Sequence, residues 1–158
     1  MNLKSYWQVL RFIHQRLEEC PIEWVLTGSL GMVLQGMHLP VHDIDLQTDE
    51  AGAYEIERRL AEYVVKPVAF VTSESICSHL GRLLIKAIEV EVMGRIQKRM
   101  PDGSREAPVQ VAAYRKWVDL EGCSIPVLSL EYEAEAYDRM GRRERASRIR
   151  AFLQRKHH

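Results

Sequence analysis

A chain of 158 residues suits one compact domain with a real core, since single domains usually span about 100–200 residues. Hydrophobic residues at 46% and charged residues at 28% exclude a disordered or fibrous protein. Lysine plus arginine balance aspartate plus glutamate at 22 each, so no net field draws the molecule to nucleic acid or an anionic membrane, and a small-molecule partner fits better.

In chain order, Ser5 is placed to cap a first helix through about Glu18, in which Tyr6, Leu10, Ile13 and Leu17 recur at helical spacing. Pro21 ends it. Glu23 to Thr27 reads as a short strand running into Gly28-Ser29 and a brief helix with Leu30, Val33 and Leu34, broken by Gly36 and Pro40. Asp43-Ile44-Asp45-Leu46 alternates polar and apolar, the pattern of a half-buried strand. Tyr54 to Tyr63 reads as an amphipathic helix and Pro67 to Thr72 as another strand. This β-α-β-α-β opening predicts a mixed α/β sheet.

From Leu83 the pattern changes to antiparallel hairpins. Leu83 to Ile85 and Ile88 to Met93 flank a short turn, and Pro101-Asp102-Gly103 is a second turn signal. Val118 to Leu120 and Ile125 to Leu128 form a further pair across Glu121-Gly122. Ser129 is placed to cap a helix to Met140, with Gly141 as its stop and a last helix through Leu153. No linker divides the chain, so residues 1–158 read as a single domain, with a core over about 20–128 and C-terminal helices over about 129–156. The arginines from Arg139 to Arg150 read as a solvated helix face.

No window approaches the roughly 20 apolar residues of a membrane span. Lys4, Arg11, Glu18 and Glu19 stand where a secretion signal would be apolar, so a cytoplasmic location is expected. Cys20, Cys77 and Cys123 are odd in number and lack Cys-x-x-Cys spacing. They read as buried thiols rather than a disulfide framework or a zinc knuckle.

Strand residues two apart point the same way, so Asp43 and Asp45 project two carboxylates onto one surface. Such a pair seats Mg²⁺, a hard cation that prefers oxygen ligands and shares them with substrate phosphates. About fourteen residues upstream, a hydrophobic strand opens through Gly28-Ser29 into a helix. Glycine lets backbone approach a phosphate, and a serine hydroxyl can bind its oxygens. A third acidic strand, Ile88 to Gly94, carries Glu89 and Glu91 on one face. If that face joins the aspartates, the carboxylates repel one another unless a cation neutralises them.

Gly28-Ser29, the Leu34-x-Gly36 element, His42-Asp43-Ile44-Asp45-Leu46 and the later acidic strand together resemble the nucleotidyltransferase superfamily related to DNA polymerase beta. Within it, the span from Trp24 to Leu46 is similar to the small antibiotic nucleotidyltransferases of the lincosamide and aminoglycoside type. The resemblance covers roughly residues 20 to 95 and implies a nucleotidyltransferase fold, with a mixed sheet flanked by helices. It implies that Gly28 and Ser29 hold triphosphate, and that Asp43, Asp45 and Glu91 ligate Mg²⁺ or Mn²⁺, with Glu91 as base and Glu89 in reserve. Glutamate stands here where the family more often has aspartate. Tyr132, Tyr137 and Arg142 are implied as candidates at the acceptor pocket.

The function expected is transfer of a nucleoside monophosphate, AMP from ATP or another nucleoside triphosphate, to a hydroxyl of a small molecule. The second reading is a regulatory protein of the same fold, such as the antitoxin half of a toxin-antitoxin pair. A chain this short has a very small acceptor region or borrows one from a second subunit, which leaves a homodimer open.

Overall fold

The computed structural model describes residues 2–100 and 102–156. Pro101 of the expected turn lies outside the described residues. Among the described residues, the Gly103 amide donates to the Met100 carbonyl at 2.9 Å and the Met100 amide to the Ser104 carbonyl at 2.8 Å.

Helix α1 (Leu3–Leu17) starts earlier than Ser5 suggests, because the Asn2 side chain accepts from the Ser5 amide and takes the capping position. It buries Tyr6, Val9, Leu10, Ile13 and Leu17. Strand β1 (Trp24–Thr27) passes directly into helix α2 (Gly28–Leu34), and strand β2 (Ile44–Thr48) follows. Helix α3 (Glu50–Arg59) begins four residues before the expected Tyr54, since Asp49 caps it by accepting from the Gly52 amide. The expected end of that helix, Ala61–Tyr63, is instead a 3₁₀ turn.

Strands β3 (Val64–Thr72), β4 (Ile76–Ile85) and β5 (Ile88–Lys98) form an antiparallel run at one edge of the sheet. Strand β6 (Arg115–Leu120) and strand β7 (Cys123–Leu128) make the second hairpin, before helix α4 (Leu130–Arg139) and helix α5 (Arg143–Lys156). Ser129 caps α4 as its position predicts, accepting from the Tyr132 amide.

All seven strands join one mixed sheet in the order β3-β4-β5-β2-β1-β7-β6. Strand β2 runs parallel to β5 and antiparallel to β1, and β1 pairs parallel with β7. Strand alternation sends one set of side chains to each face. Leu26, Ile44, Leu46, Val90, Val92 and Val127 pack with the buried stripes of α1 and α3 in the main core. On the opposite face Val25 and Leu128 pack with Val111 and Tyr132. Met32 and Met37 meet Leu130, Ala134 and Ile149 beside them, which fastens α4 and α5 to α2.

Two expectations are corrected. Strand β4 extends back to Ile76 rather than starting at Leu83, because pairing with β3 and β5 on both sides organises a stretch whose own alternation is weak. Strand β5 does not end at Gly94. It continues to Lys98 past Arg95, whose φ of 53° marks a bulge where the β4 register shifts. Gly94 serves packing instead: a Cβ there would lie 2.7 Å from the Ala53 Cβ and from the Asp49 carbonyl oxygen.

Among the cysteines, Cys77 is buried while Cys20 and Cys123 are half-buried, and all three are free thiols.

Candidate active site

The tight passage from β1 to α2 depends on Gly28, whose φ of +73° lies in the left-handed region. A Cβ at this position would fall 2.3 Å from Asp45 Oδ2. The glycine therefore permits both the turn and the approach of a carboxylate to the backbone. Thr27 pairs with Asp45 across the β1/β2 ladder, and Asp45 pairs with Glu91 across β2/β5. The parallel register sets Asp45 and Glu91 side by side, on the face opposite the main core.

Asp43, just ahead of β2, joins them. One carboxylate oxygen from each of Asp43, Asp45 and Glu91 lies within 4.8 Å of the others. Burial pushes the Asp45 carboxyl up to about 8, helped by the neighbouring charges of Asp43 and Glu91. Asp43 is raised as well, chiefly by burial and then by Glu89, with opposition from its hydrogen bond with Asp45. Three hard oxygen donors held this close, one of them driven to keep its proton, form a donor set suited to a hard divalent cation.

Glu89 shares the face but not the cluster, because its carboxylate is paired with Arg82 at 2.9 Å. Ser29 is half-buried in the first turn of α2. The Gly28 amide is already engaged, donating to the Glu133 carboxylate at 3.1 Å. Thr27, at the head of α2, makes no cap bond with its side chain. Its hydroxyl donates to the same glutamate at 2.9 Å.

Glu133 is the residue that reading the sequence missed. It is 5% exposed, and burial pushes its carboxyl up to about 7 against the opposing effect of the Thr27 and Gly28 hydrogen bonds. A signal was present in α4, where Glu133 lies between Leu130 and Tyr137 on one helical stripe. A carboxylate on an apolar stripe is seldom buried without a partner.

A cavity of about 710 Å³ opens from Thr27, Gly28, Asp45 and Glu91 and runs between the sheet and α4. Tyr132, Tyr137 and Arg142, the acceptor-pocket candidates, all line it. Arg142 lies over the Tyr137 ring at 4.9 Å and Arg145 at 5.7 Å. Arg145 also reaches the Met32 sulfur of α2 at 3.9 Å. The arginine run is therefore more than a solvated face, since this part of it folds back toward the carboxylates.

A family model for aminoglycoside-2''-adenylyltransferases matches residues 9–151. No curated protein shows significant similarity to the chain. A solved structure from Thermotoga maritima, provisionally designated a nucleotidyltransferase, is 51% identical, covers 98% of this chain and 96% of its own, and superposes with a TM-score of 0.86. The lincosamide antibiotic adenylyltransferase LnuA, solved with lincomycin bound, is 16% identical over 90% of this chain and 96% of its own, at a TM-score of 0.57. ANT(2'')-Ia, solved with adenylyl-2''-tobramycin, is 12% identical over 98% of this chain and 99% of its own, at a TM-score of 0.56. These last two share the fold. No helix among the described residues is long and apolar enough to cross a membrane. With the family model matched across most of its length, the chain belongs to the aminoglycoside-2''-adenylyltransferase family and is a nucleotidyltransferase.

Proposed function

We propose that transfer takes place at Asp43, Asp45 and Glu91, which hold a divalent cation, Mg²⁺ or Mn²⁺, and that a nucleoside monophosphate passes to a hydroxyl of a small molecule. The observation that carries this reading is the convergence of the three carboxylates within 4.8 Å at the mouth of a large cavity. AMP from ATP is the donor suggested by the adenylyltransferase family, and the bound lincomycin and adenylyl-tobramycin of the two distant fold relatives support a small acceptor.

A cation bound here supplies charge neutralisation for the phosphates and lowers the cost of generating an alkoxide-like acceptor oxygen. The chain's own residues do the rest. Asp43 and Asp45 place ligand oxygens beside Gly28, whose missing side chain leaves the space that the Asp45 carboxylate occupies. Ser29 offers the hydroxyl next to that space. Since Glu133 occupies the Gly28 amide, triphosphate contact falls to Ser29 and to the Arg145 side chain, which reaches Met32 of α2, rather than to that amide. The acceptor oxygen bonds to the α-phosphorus, the bond to the bridging oxygen breaks, and pyrophosphate leaves. Glu91 receives the acceptor proton.

The test combines calorimetric binding of a nonhydrolysable ATP analogue in Mg²⁺ with pyrophosphate release over a set of hydroxyl compounds. Asp45→Ala should bring transfer to background while circular dichroism shows an intact fold. Glu91→Gln should lower turnover by roughly 10²–10⁴-fold. Glu89→Gln should stay within a few-fold of the parent, because Glu89 is held by Arg82. A fully active Asp45→Ala protein would overturn the assignment. Family membership favours this catalytic reading over a regulatory one.

A further inference from the structure

The far wall of the cavity carries a charge pattern that bears on the acceptor, on the reading that the carboxylate cluster is the transfer site. Beyond Glu91, the cavity side of β5 offers Met93, Ile96 and then Lys98. Val109, whose amide donates to the Ile96 carbonyl at 3.2 Å, and Tyr132 line the same cavity. The middle of the cavity is therefore apolar and its end is cationic.

Lys98 is half-buried there. Its ammonium donates to the Ala136 carbonyl at 3.2 Å, one turn of α4 beyond Glu133. It has no carboxylate at salt-bridge distance among the described residues. Burial and the nearby Arg139 both push Lys98 below the usual lysine range, with Glu106 opposing. An ammonium in this position gains from an incoming anion more than a solvated surface lysine does.

Carboxylates on the cavity wall are all committed elsewhere. Asp45 and Glu91 belong to the cluster. Glu133 is turned into the Thr27 and Gly28 bonds. Glu106 faces Arg139 at 3.9 Å. An aminoglycoside brings several ammonium groups, each of which needs a carboxylate or carbonyl once desolvated, and it would meet Lys98, Arg139 and Arg142 instead.

We propose that the acceptor is a hydroxyl compound with an apolar body and an anionic group, carboxylate or phosphate, seated against Lys98, and that polycationic aminoglycosides are not its substrates. The hydroxyl lies at the carboxylate cluster, the apolar body along Met93 and Ile96, and the anion at the far end. Lys98 acts in acceptor binding, while Arg145, on the α2 side, serves the nucleotide.

A matched series tests this by calorimetry on the protein loaded with Mg²⁺ and a nonhydrolysable ATP analogue: 12-hydroxydodecanoate, 12-hydroxydodecyl phosphate, 12-hydroxydodecanamide, 12-aminododecanol and tobramycin. One or both anionic probes should bind at least about tenfold more tightly than the amide, the gain of one charge-assisted contact, and the amine and tobramycin should bind more weakly still. The carboxylate and phosphate arms distinguish the two anion types. Lys98→Gln, which keeps a donor for the Ala136 carbonyl, should erase the anion preference and leave affinity for the ATP analogue unchanged. Tighter binding of tobramycin or the amine, failure of both anions to bind, or an anion preference that survives Lys98→Gln would overturn the proposal. So would a Lys98→Gln variant that loses the nucleotide rather than the anion. Repeating the titrations without nucleotide separates the two readings. Absent affinity for the ATP analogue defeats the transfer site, whereas a Lys98-dependent anion preference stands independently of it.

Discussion

Two acids in this protein are placed where folding works against their charge. Asp45 is pushed up to about 8 and Glu133 to about 7, both chiefly by burial. A carboxyl whose folded value exceeds its unfolded one holds its proton in the folded protein and releases it on unfolding. Its contribution to stability is complete below the unfolded value, near 4, and is lost as pH rises through the folded one. For Glu133, raised from 4.5 to about 7, this amounts to roughly 3 kcal/mol across the window. In EDTA the melting temperature should therefore fall as pH is raised from about 4 to 8, and Glu133→Gln should flatten the slope and be the more stable protein at pH 8. Adding Mg²⁺ at pH 8 should raise the melting temperature of the parent and leave that of Asp45→Asn unmoved. Thermal melts across pH, with and without metal, check all three, and a flat parent profile in EDTA would contradict the account. The alternation of Asp43 and Asp45 already told that they share a face. It could not tell how deeply Asp45 would be buried, because that depends on α4, which lies far along the chain.

At the scale of the elements, Gly94 shows how a local signal can be read correctly as unusual and wrongly as to cause. Glycine after Ile88 to Met93 reads as the end of a strand, yet β5 continues and α3 packs directly onto the gap. Gly94→Ala should cost about 1–3 kcal/mol through overpacking against Ala53 and the Asp49 carbonyl. Urea denaturation would report this as a lower midpoint at an unchanged slope. Gly28→Ala acts differently, since the substitution both strains a backbone at φ +73° and drives a methyl into Asp45. It should cost about 1–2 kcal/mol of stability and a much larger share of Mg²⁺ affinity, read by titration calorimetry. Equal metal affinity in the parent and in Gly28→Ala would show that Asp45 does not need this approach.

Across the whole molecule, the C-terminal helices are bound to the sheet at several separated points. Glu133 holds Thr27 and Gly28, Lys98 holds Ala136, and Lys116 of β6 pairs with Glu131 of α4 at 3.4 Å. The small core of Met32, Met37, Leu130, Ala134 and Ile149 adds an apolar contact between α2, α4 and α5. The core over 20–128 and the helices after it should therefore unfold together. Calorimetry is expected to give one transition in which the calorimetric and van't Hoff enthalpies agree, and a separate low-temperature transition for the C-terminal helices would show them to be an independent unit.

Local pattern determined much on its own: the mixed α/β class, the Gly28 turn, the shared face of Asp43 and Asp45 and the Ser129 cap each depend on residues only a few positions apart. The tertiary structure supplied the reason why Glu91, which the resemblance favoured over Glu89, joins them: the parallel register places Glu91 beside Asp45 and leaves Glu89 to Arg82. It also decided that Glu133, 88 positions beyond Asp45 by their numbers, closes the back of the site. Periodicity reports which way a side chain points along its own element. Which neighbours it meets is set by the order of strands and the docking of helices, and those follow from burying the whole apolar surface at once.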